Sequence, residues 1–143
     1  MAELELQADG AYTLVEEDRC LMSQPTILIA DDEASIVSVL AREATRYGLE
    51  TVTDTSSEHV YQLAKKHHPA VIILDVMQKI DGRDLLAQLK SDPETRDIKI
   101  IMLSAIEDQY TRHLCLELGA DDYAVKPVDS TFMAKVARLA GLH

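Results

Sequence analysis

The stretch VIILDVMQKIDG, residues 71–82, sets Val71, Ile72, Ile73 and Leu74 directly against a carboxylate, Asp75. Four apolar residues without polar alternation fit a strand covered on both faces. An acid at the end of such a strand lies where an open parallel sheet presents its ligand sites. The rest of the chain decides whether other segments follow the same plan.

They do, from residue 26 onward. TILIA (26–30) is a short apolar run, and ASIVSVLAREATRY (34–47) carries Ile36, Val37, Leu40 and Ala44 at helical spacing. Gly48 is its stop. LETVT (49–53) is strand-like, and Ser56 or Ser57 is placed to cap a helix through His67 that Pro69 ends. After VIIL (71–74), GRDLLAQLKS (82–91) reads as a helix with Leu85, Leu86 and Leu89 inward, closed by Asp92-Pro93. IKIIML (98–103) is a buried strand and DQYTRHLCLELG (108–119) a helix with Leu114, Cys115 and Leu118 inward. DYAV (122–125) is a last strand, and Asp129 or Ser130 caps a helix bearing Phe132, Met133, Val136 and Leu139. Alternating buried strands and helices predict an α/β fold: a doubly wound, flavodoxin-like parallel sheet of order 2-1-3-4-5 with five flanking helices.

The chain has 143 residues, the size of one ordinary domain, and 47% of them are apolar. Residues 1–24 stand outside the alternation. Their Asp-Gly between two short alternating runs suits a hairpin, and their acidity suits a disordered arm; the domain is expected over 25–143. Net charge is −11, which opposes direct nucleic-acid or membrane contact through this domain. No run approaches the roughly 20 apolar residues of a membrane span, and no signal peptide is visible, so a cytoplasmic location is expected. Cys20 and Cys115 fit no metal or redox spacing and read as free thiols.

In such a sheet the residues after each strand share one edge. Asp31, Asp32 and Glu33 follow the first strand, Asp75 ends the third, Ser104 and Ala105 follow the fourth, and Lys126-Pro127 follows the fifth. Three aspartates crowded together repel, and a hard cation such as Mg2+ (or Mn2+) relieves this through oxygen ligands. Asp75 is then placed as a nucleophile toward phosphorus, with Lys126 and the Ser104 hydroxyl facing phosphoryl oxygens. Taken singly, an acidic pair after a strand is commonly helix N-terminal charge, and a lysine before a turn proline is commonly just exposed. The conjunction at four strand ends carries the reading.

The motifs ILIADDE, VIILDVM, IIMLSA and GADDYAVKP resemble together the receiver domain of bacterial response regulators, from about residue 25 to the C-terminus. The resemblance implies Asp75 as phosphoacceptor and Asp32 as the direct metal-binding acid assisted by Asp31. It implies the Met77 backbone carbonyl as the third protein ligand, Ser104 as the switch hydroxyl and Lys126 as the phosphate-pairing lysine. It implies a cis Lys126–Pro127 bond, and Tyr123 as the aromatic whose ring turns from exposed to buried on activation, with Ile106 beside it at the responding surface. The donor would be a phosphohistidine on a sensor histidine kinase or histidine phosphotransfer protein, and the output a downstream protein target. Such a domain phosphorylates and dephosphorylates itself in signalling and is not a turnover enzyme. The short C-terminus suggests a stand-alone receiver unless an output domain lies outside this stretch of sequence.

One departure stands out. The loop from Val76 to Ile80 is one residue shorter than the family pattern and lacks its proline, a residue that stiffens loops. Two rival readings follow. A haloacid-dehalogenase-type phosphatase wants an acid at position 77, where this chain has Met, and a cap domain that the length excludes. A degenerate receiver acting as a phosphorylation-independent binding module draws on the shortened loop alone. Among smaller features, His67-His68 suits a helix C-terminus better than a metal site, His113 reads as solvated, and Tyr61 and Tyr110 as half-buried.

Overall fold

The computed structural model describes residues 4–6, 12–14 and 24–142. Two short strands, β1 (Leu4–Leu6) and β2 (Tyr12–Leu14), pair antiparallel with Glu5 opposite Thr13; the rest of residues 1–23 lies outside the described residues. Cys20 lies outside the described residues.

From residue 26 strands and helices alternate: β3 (Thr26–Ala30), α1 (Ala34–Arg46), β4 (Glu50–Asp54), α2 (Val60–His67) and β5 (Val71–Asp75). There follow α3 (Gly82–Ser91), β6 (Lys99–Ser104), α4 (Gln109–Glu117), β7 (Asp122–Val125) and α5 (Ser130–Leu139). β3 to β7 form one parallel sheet in the order β4-β3-β5-β6-β7, which is 2-1-3-4-5 counted within the sheet.

Side-chain alternation explains the continuous apolar runs. Ile27, Ile29, Val71, Ile73, Ile101 and Leu103 pack with Val37, Leu40 and Ala44 of α1 and with Phe132, Met133 and Val136 of α5. Their neighbours Leu28, Ile72, Leu74, Ile100 and Met102 join Val60 and Ala64 of α2, Leu85, Leu86 and Leu89 of α3, and Cys115 of α4. Every residue of β5 is buried because helices cover both faces. Burying each large aliphatic side chain contributes about 1.5–3 kcal/mol, so the central strands anchor the fold.

Local signals mostly act as expected, with two differences, at the start of α2 and at Tyr110. The start of α2 is organised by Asp54, not by Ser56 or Ser57: its carboxylate accepts from the Ser56 and His59 N–H groups at 2.9 Å each, and His59 is the cap residue. α2 ends on His68, in the left-handed region at φ 45, one residue before Pro69. Tyr110 is 71% exposed where a half-buried position was expected; α4 buries only Cys115, so its apolar stripe is too narrow to take up Tyr110. α5 is capped by Asp129, whose carboxylate accepts from the Thr131 N–H at 2.9 Å.

Parallel register puts the ends of the strands level. Ala30 is opposite Leu74, Asp75 opposite Leu103, and Ser104 opposite Val125. The loop after β5 folds back tightly: the Val76 N–H donates to Leu103 O, and the Gly82 N–H donates to Val76 O, both at 2.9 Å. Gly82 is required by close approach, since a Cβ there would lie 2.2 Å from the Asp75 carbonyl oxygen and 2.9 Å from Val76 Cα. Both obstacles are backbone and cannot swing away. Gly82→Ala should therefore cost about 2–4 kcal/mol in urea unfolding, with the transition remaining cooperative; a loss below the measurement error would mean that the loop can open without penalty.

Candidate functional site

The acidic edge is assembled from two neighbouring strand ends, those of β3 and β5. Asp31 follows β3 and is 1% exposed; its Oδ1 accepts from the Glu33 N–H at 2.8 Å. Asp75 closes β5, is 3% exposed, and its Oδ1 accepts from the Met77 N–H at 3.1 Å. Asp32 beside them is exposed. One carboxylate oxygen from each of Asp31, Asp32 and Asp75 can be chosen so that all lie within 4.8 Å of one another.

Lys126, after β7, reaches back across the sheet edge into this cluster. Its Nζ lies 2.8 Å from Asp31 Oδ2, 2.9 Å from Glu33 Oε1 and 3.3 Å from Asp75 Oδ2. The Lys126–Pro127 peptide bond is cis. The structure thus brings Asp31, Asp32, Asp75 and Lys126 together. It adds Glu33, which the sequence places after the first strand without giving it a role.

Ser104 is buried at the end of β6, and its Oγ accepts from the Ile106 N–H at 3.1 Å. Tyr123 is buried as well, so its ring is already inward; its hydroxyl donates to Ile106 O at 3.1 Å. The Arg112 guanidinium lies over that ring, 4.9 Å from the centroid. Ile106 is 57% exposed beside them. Met77 lies in the loop after Asp75 with its side chain exposed, and Gln78 Nε2 donates to the Asp75 carbonyl oxygen at 3.1 Å. Away from the site, Cys115 is a buried free thiol and His113 pairs with Glu117 on the exposed face of α4.

The electrostatics follow from this crowding. Burial, and then the charge of Asp31, push the Asp75 carboxyl from 3.8 up to about 6, although Lys126 and the Met77 N–H pull the other way. Burial also works against the Lys126 charge, but hydrogen bonds to Asp31 and Glu33 and the charge of Asp75 outweigh it and raise its pKa. One ammonium thus faces four carboxylates, counting Asp32. The donors are all hard oxygens, which fits a divalent cation of the same kind.

A folded pKa above the unfolded one means that the folded protein binds this proton more tightly. The resulting stability is present below about pH 4 and is lost as pH rises through about 6. Without divalent cations, Asp75→Asn should therefore be more stable than the parent at pH 7, by about 1–3 kcal/mol, and no more stable at pH 4. Urea unfolding in a chelator at both pH values measures this, and equal stability at pH 7 would show that Asp75 is not under electrostatic strain.

Comparison with known proteins fits this geometry. Residues 27–138 match the response regulator receiver domain family. A probable transcriptional regulator, ycf27, of Galdieria sulphuraria is 43% identical over 108 residues, which cover 75% of this chain and 41% of that protein. The alkaline phosphatase synthesis transcriptional regulatory protein PhoP of Bacillus subtilis is 39% identical over 102 residues, covering 71% of this chain and 42% of its own. The chain thus spans about two-fifths of the length of these curated relatives. Among solved structures, a putative response regulator from Chloroflexus aurantiacus superposes with a TM-score of 0.76 at 29% identity, covering 82% of this chain and 98% of its own. With the sheet order, the acidic edge and the lysine in place, the chain belongs to the response regulator receiver domain family of two-component systems.

Proposed function

We propose that the domain takes a phosphoryl group from a phosphohistidine, on a sensor histidine kinase or a histidine phosphotransfer protein, onto Asp75. The observation that carries this is the buried Asp75 carboxylate, 3.3 Å from Lys126 Nζ and grouped with Asp31 and Asp32. An Asp75 oxygen attacks phosphorus, the P–N bond breaks, and its electron pair stays on the donor imidazole. Attack by water on the acyl phosphate later returns the carboxylate and releases inorganic phosphate, so the domain is a signalling device and not a turnover enzyme.

Asp31 and Asp32, with Asp75 and the Met77 carbonyl, would hold Mg2+ (or Mn2+), which when bound offsets the charge of phosphoryl oxygens and carboxylates. Lys126 is positioned to follow the new charge, because its Nζ already lies 3.3 Å from Asp75 and would loosen its contacts with Asp31 and half-exposed Glu33. Ser104 Oγ accepts from Ile106 N–H, which leaves its own hydrogen to donate to a phosphoryl oxygen. Movement of Ser104 would then drag the Ile106 backbone, to which the Tyr123 hydroxyl is also bonded. Since Tyr123 is inward from the outset, the change read by a downstream protein would centre on Ile106 and the start of α4. This is a shift between two packings, biased by about −1.5 to −2 units of added charge.

The net charge of −11 opposes nucleic-acid contact through this domain. Where the domain forms part of a longer regulator, as the length of its relatives allows, the output would act outside the matched region. No helix among the described residues is long and apolar enough to cross a membrane, and a cytoplasmic site of action is the reading we adopt. The shortened loop after Asp75 favours one competitor, a receiver that binds its partner without phosphorylation.

Acetyl phosphate with Mg2+ should give a single phosphoryl adduct by intact-mass spectrometry, lost with hydroxylamine and absent in chelator or in Asp75→Asn. An adduct that persists in Asp75→Asn removes the acceptor assignment. Lys126→Ala should slow adduct formation by at least about tenfold, by analogy with the loss of one charge-stabilising group at a reaction centre. Failure to bind Mg2+ at millimolar concentration would favour the phosphorylation-independent competitor.

A further inference from the structure

The loop after Asp75 contains Met77, whose carbonyl the proposed metal site calls on, yet it is one residue short of the family pattern and has no proline. We propose that Ser57, in the neighbouring loop between β4 and α2, is a positioning residue that holds this loop in the place of a proline. This rests on the reading that the acidic edge binds a divalent cation.

Ser57 is fully buried, and its Oγ accepts from the Ile80 N–H at 3.0 Å, linking two loops 23 residues apart in sequence. Its backbone is in the left-handed region, at φ 62, a conformation that costs a non-glycine residue about 1 kcal/mol or more. Something must over-determine it, and Asp54 does. The Asp54 carboxylate accepts from the Ser56 N–H at 2.9 Å, the Ser56 hydroxyl at 2.7 Å and the His59 N–H at 2.9 Å. Burial alone would raise the Asp54 pKa, but these hydrogen bonds hold it below the ordinary carboxylate value, so the brace is ionised at neutral pH.

Both ends of the loop are fixed independently of Ser57. At its start Gln78 Nε2 holds the Asp75 carbonyl oxygen, and at its close the Gly82 N–H holds Val76 O. The middle has two anchors: the Ser57 hydroxyl on Ile80, and the Ile80 side chain, packed at the edge of the core. The Glu58–Lys79 ion pair spans the same two loops, but both partners are exposed and such pairs contribute little. A buried, geometrically constrained hydroxyl is the contact able to set where residues 77–80 sit.

Ser57→Gly separates the hydroxyl from the backbone, because glycine adopts this φ without strain. It should fold with an unfolding midpoint within about 5 °C of the parent. In metal-free protein the Ile80 amide should exchange with deuterium at least about tenfold faster. The Kd for Mn2+, followed by titration calorimetry, should rise by about tenfold, as for other residues that orient a metal ligand without touching the ion. Ser57→Ala should give the same two shifts with a larger loss of stability, since alanine is strained at this φ. Glu58→Ala should change neither readout.

Unchanged Ile80 exchange in both Ser57 variants overturns the brace, whatever the metal does. Faster exchange with unchanged Mn2+ affinity overturns the positioning role. Equal effects from Glu58→Ala overturn the assignment to the hydroxyl. If the parent protein binds no Mn2+ at millimolar concentration, the metal reading fails and takes the positioning role with it, while Ile80 exchange still decides whether Ser57 holds the loop.

Discussion

The ammonium of Lys126 is the contact on which the working edge depends. It lies within 3.3 Å of Asp31, Glu33 and Asp75, residues that end or follow strands which the chain does not otherwise need to bring together by charge. Two of those carboxylates are almost wholly buried, and like charges in a desolvated setting oppose each other strongly. One cation offsets only part of this. The elevated pKa of Asp75 comes first from its burial and then from the charge of Asp31, and a hard divalent ion is the ordinary chemical means of offsetting both. The same deficit that weakens the metal-free fold at neutral pH makes the pocket attractive to a cation, so stability and ligand affinity draw on one source.

Keeping such a cluster together requires a frame that does not yield. The hydrophobic sheet supplies it, because β5 is buried along its whole length and is paired on both edges. Backbone hydrogen bonds fix the height of each strand relative to the next, and therefore the height of each terminal side chain. Gly82 then lets the chain return within contact of the Asp75 backbone, so the loop leaves the site by the shortest route. Asp31 and Asp75 are held in place because each carboxylate hangs on a short side chain at the end of a packed strand, not because the charges favour one another.

Much of this was legible in the sequence. Strands covered on both faces write themselves as unbroken apolar runs, and VIIL (71–74) is read without ambiguity for that reason. The site residues were legible because each follows such a run, so the sheet order alone converts four separated positions into one edge. What escaped was interaction between loops. Glu33 has no role in the sequence until Lys126 is seen beside it. Asp54 belongs to a strand by pattern yet organises the helix that follows. Tyr110 lies on a helix whose single fully buried residue, Cys115, leaves the apolar stripe too weak to fix a face. Ser57 reads locally as a helix cap and gives no sign of its bond to Ile80, because its partner is a backbone N–H that no residue type announces.

That last case shows how a shortened loop can stay ordered. A proline restrains a loop from within by fixing its own φ. A hydrogen bond to an adjacent loop restrains it from outside, and transfers the requirement for rigidity to the accepting segment. Here the transfer continues inward: Ser57 must hold a left-handed backbone, Asp54 must hold the turn that contains it, and Asp54 stands at the end of β4, where the Asp31 N–H donates to its carbonyl oxygen at 3.2 Å. The chain of contacts therefore begins and ends at the acidic edge, running from Asp31 through Asp54 and Ser57 to Ile80 and back along the loop to Asp75. A perturbation of Asp31 and one of the loop after Asp75 need not be independent, since both are referred to the same edge strand.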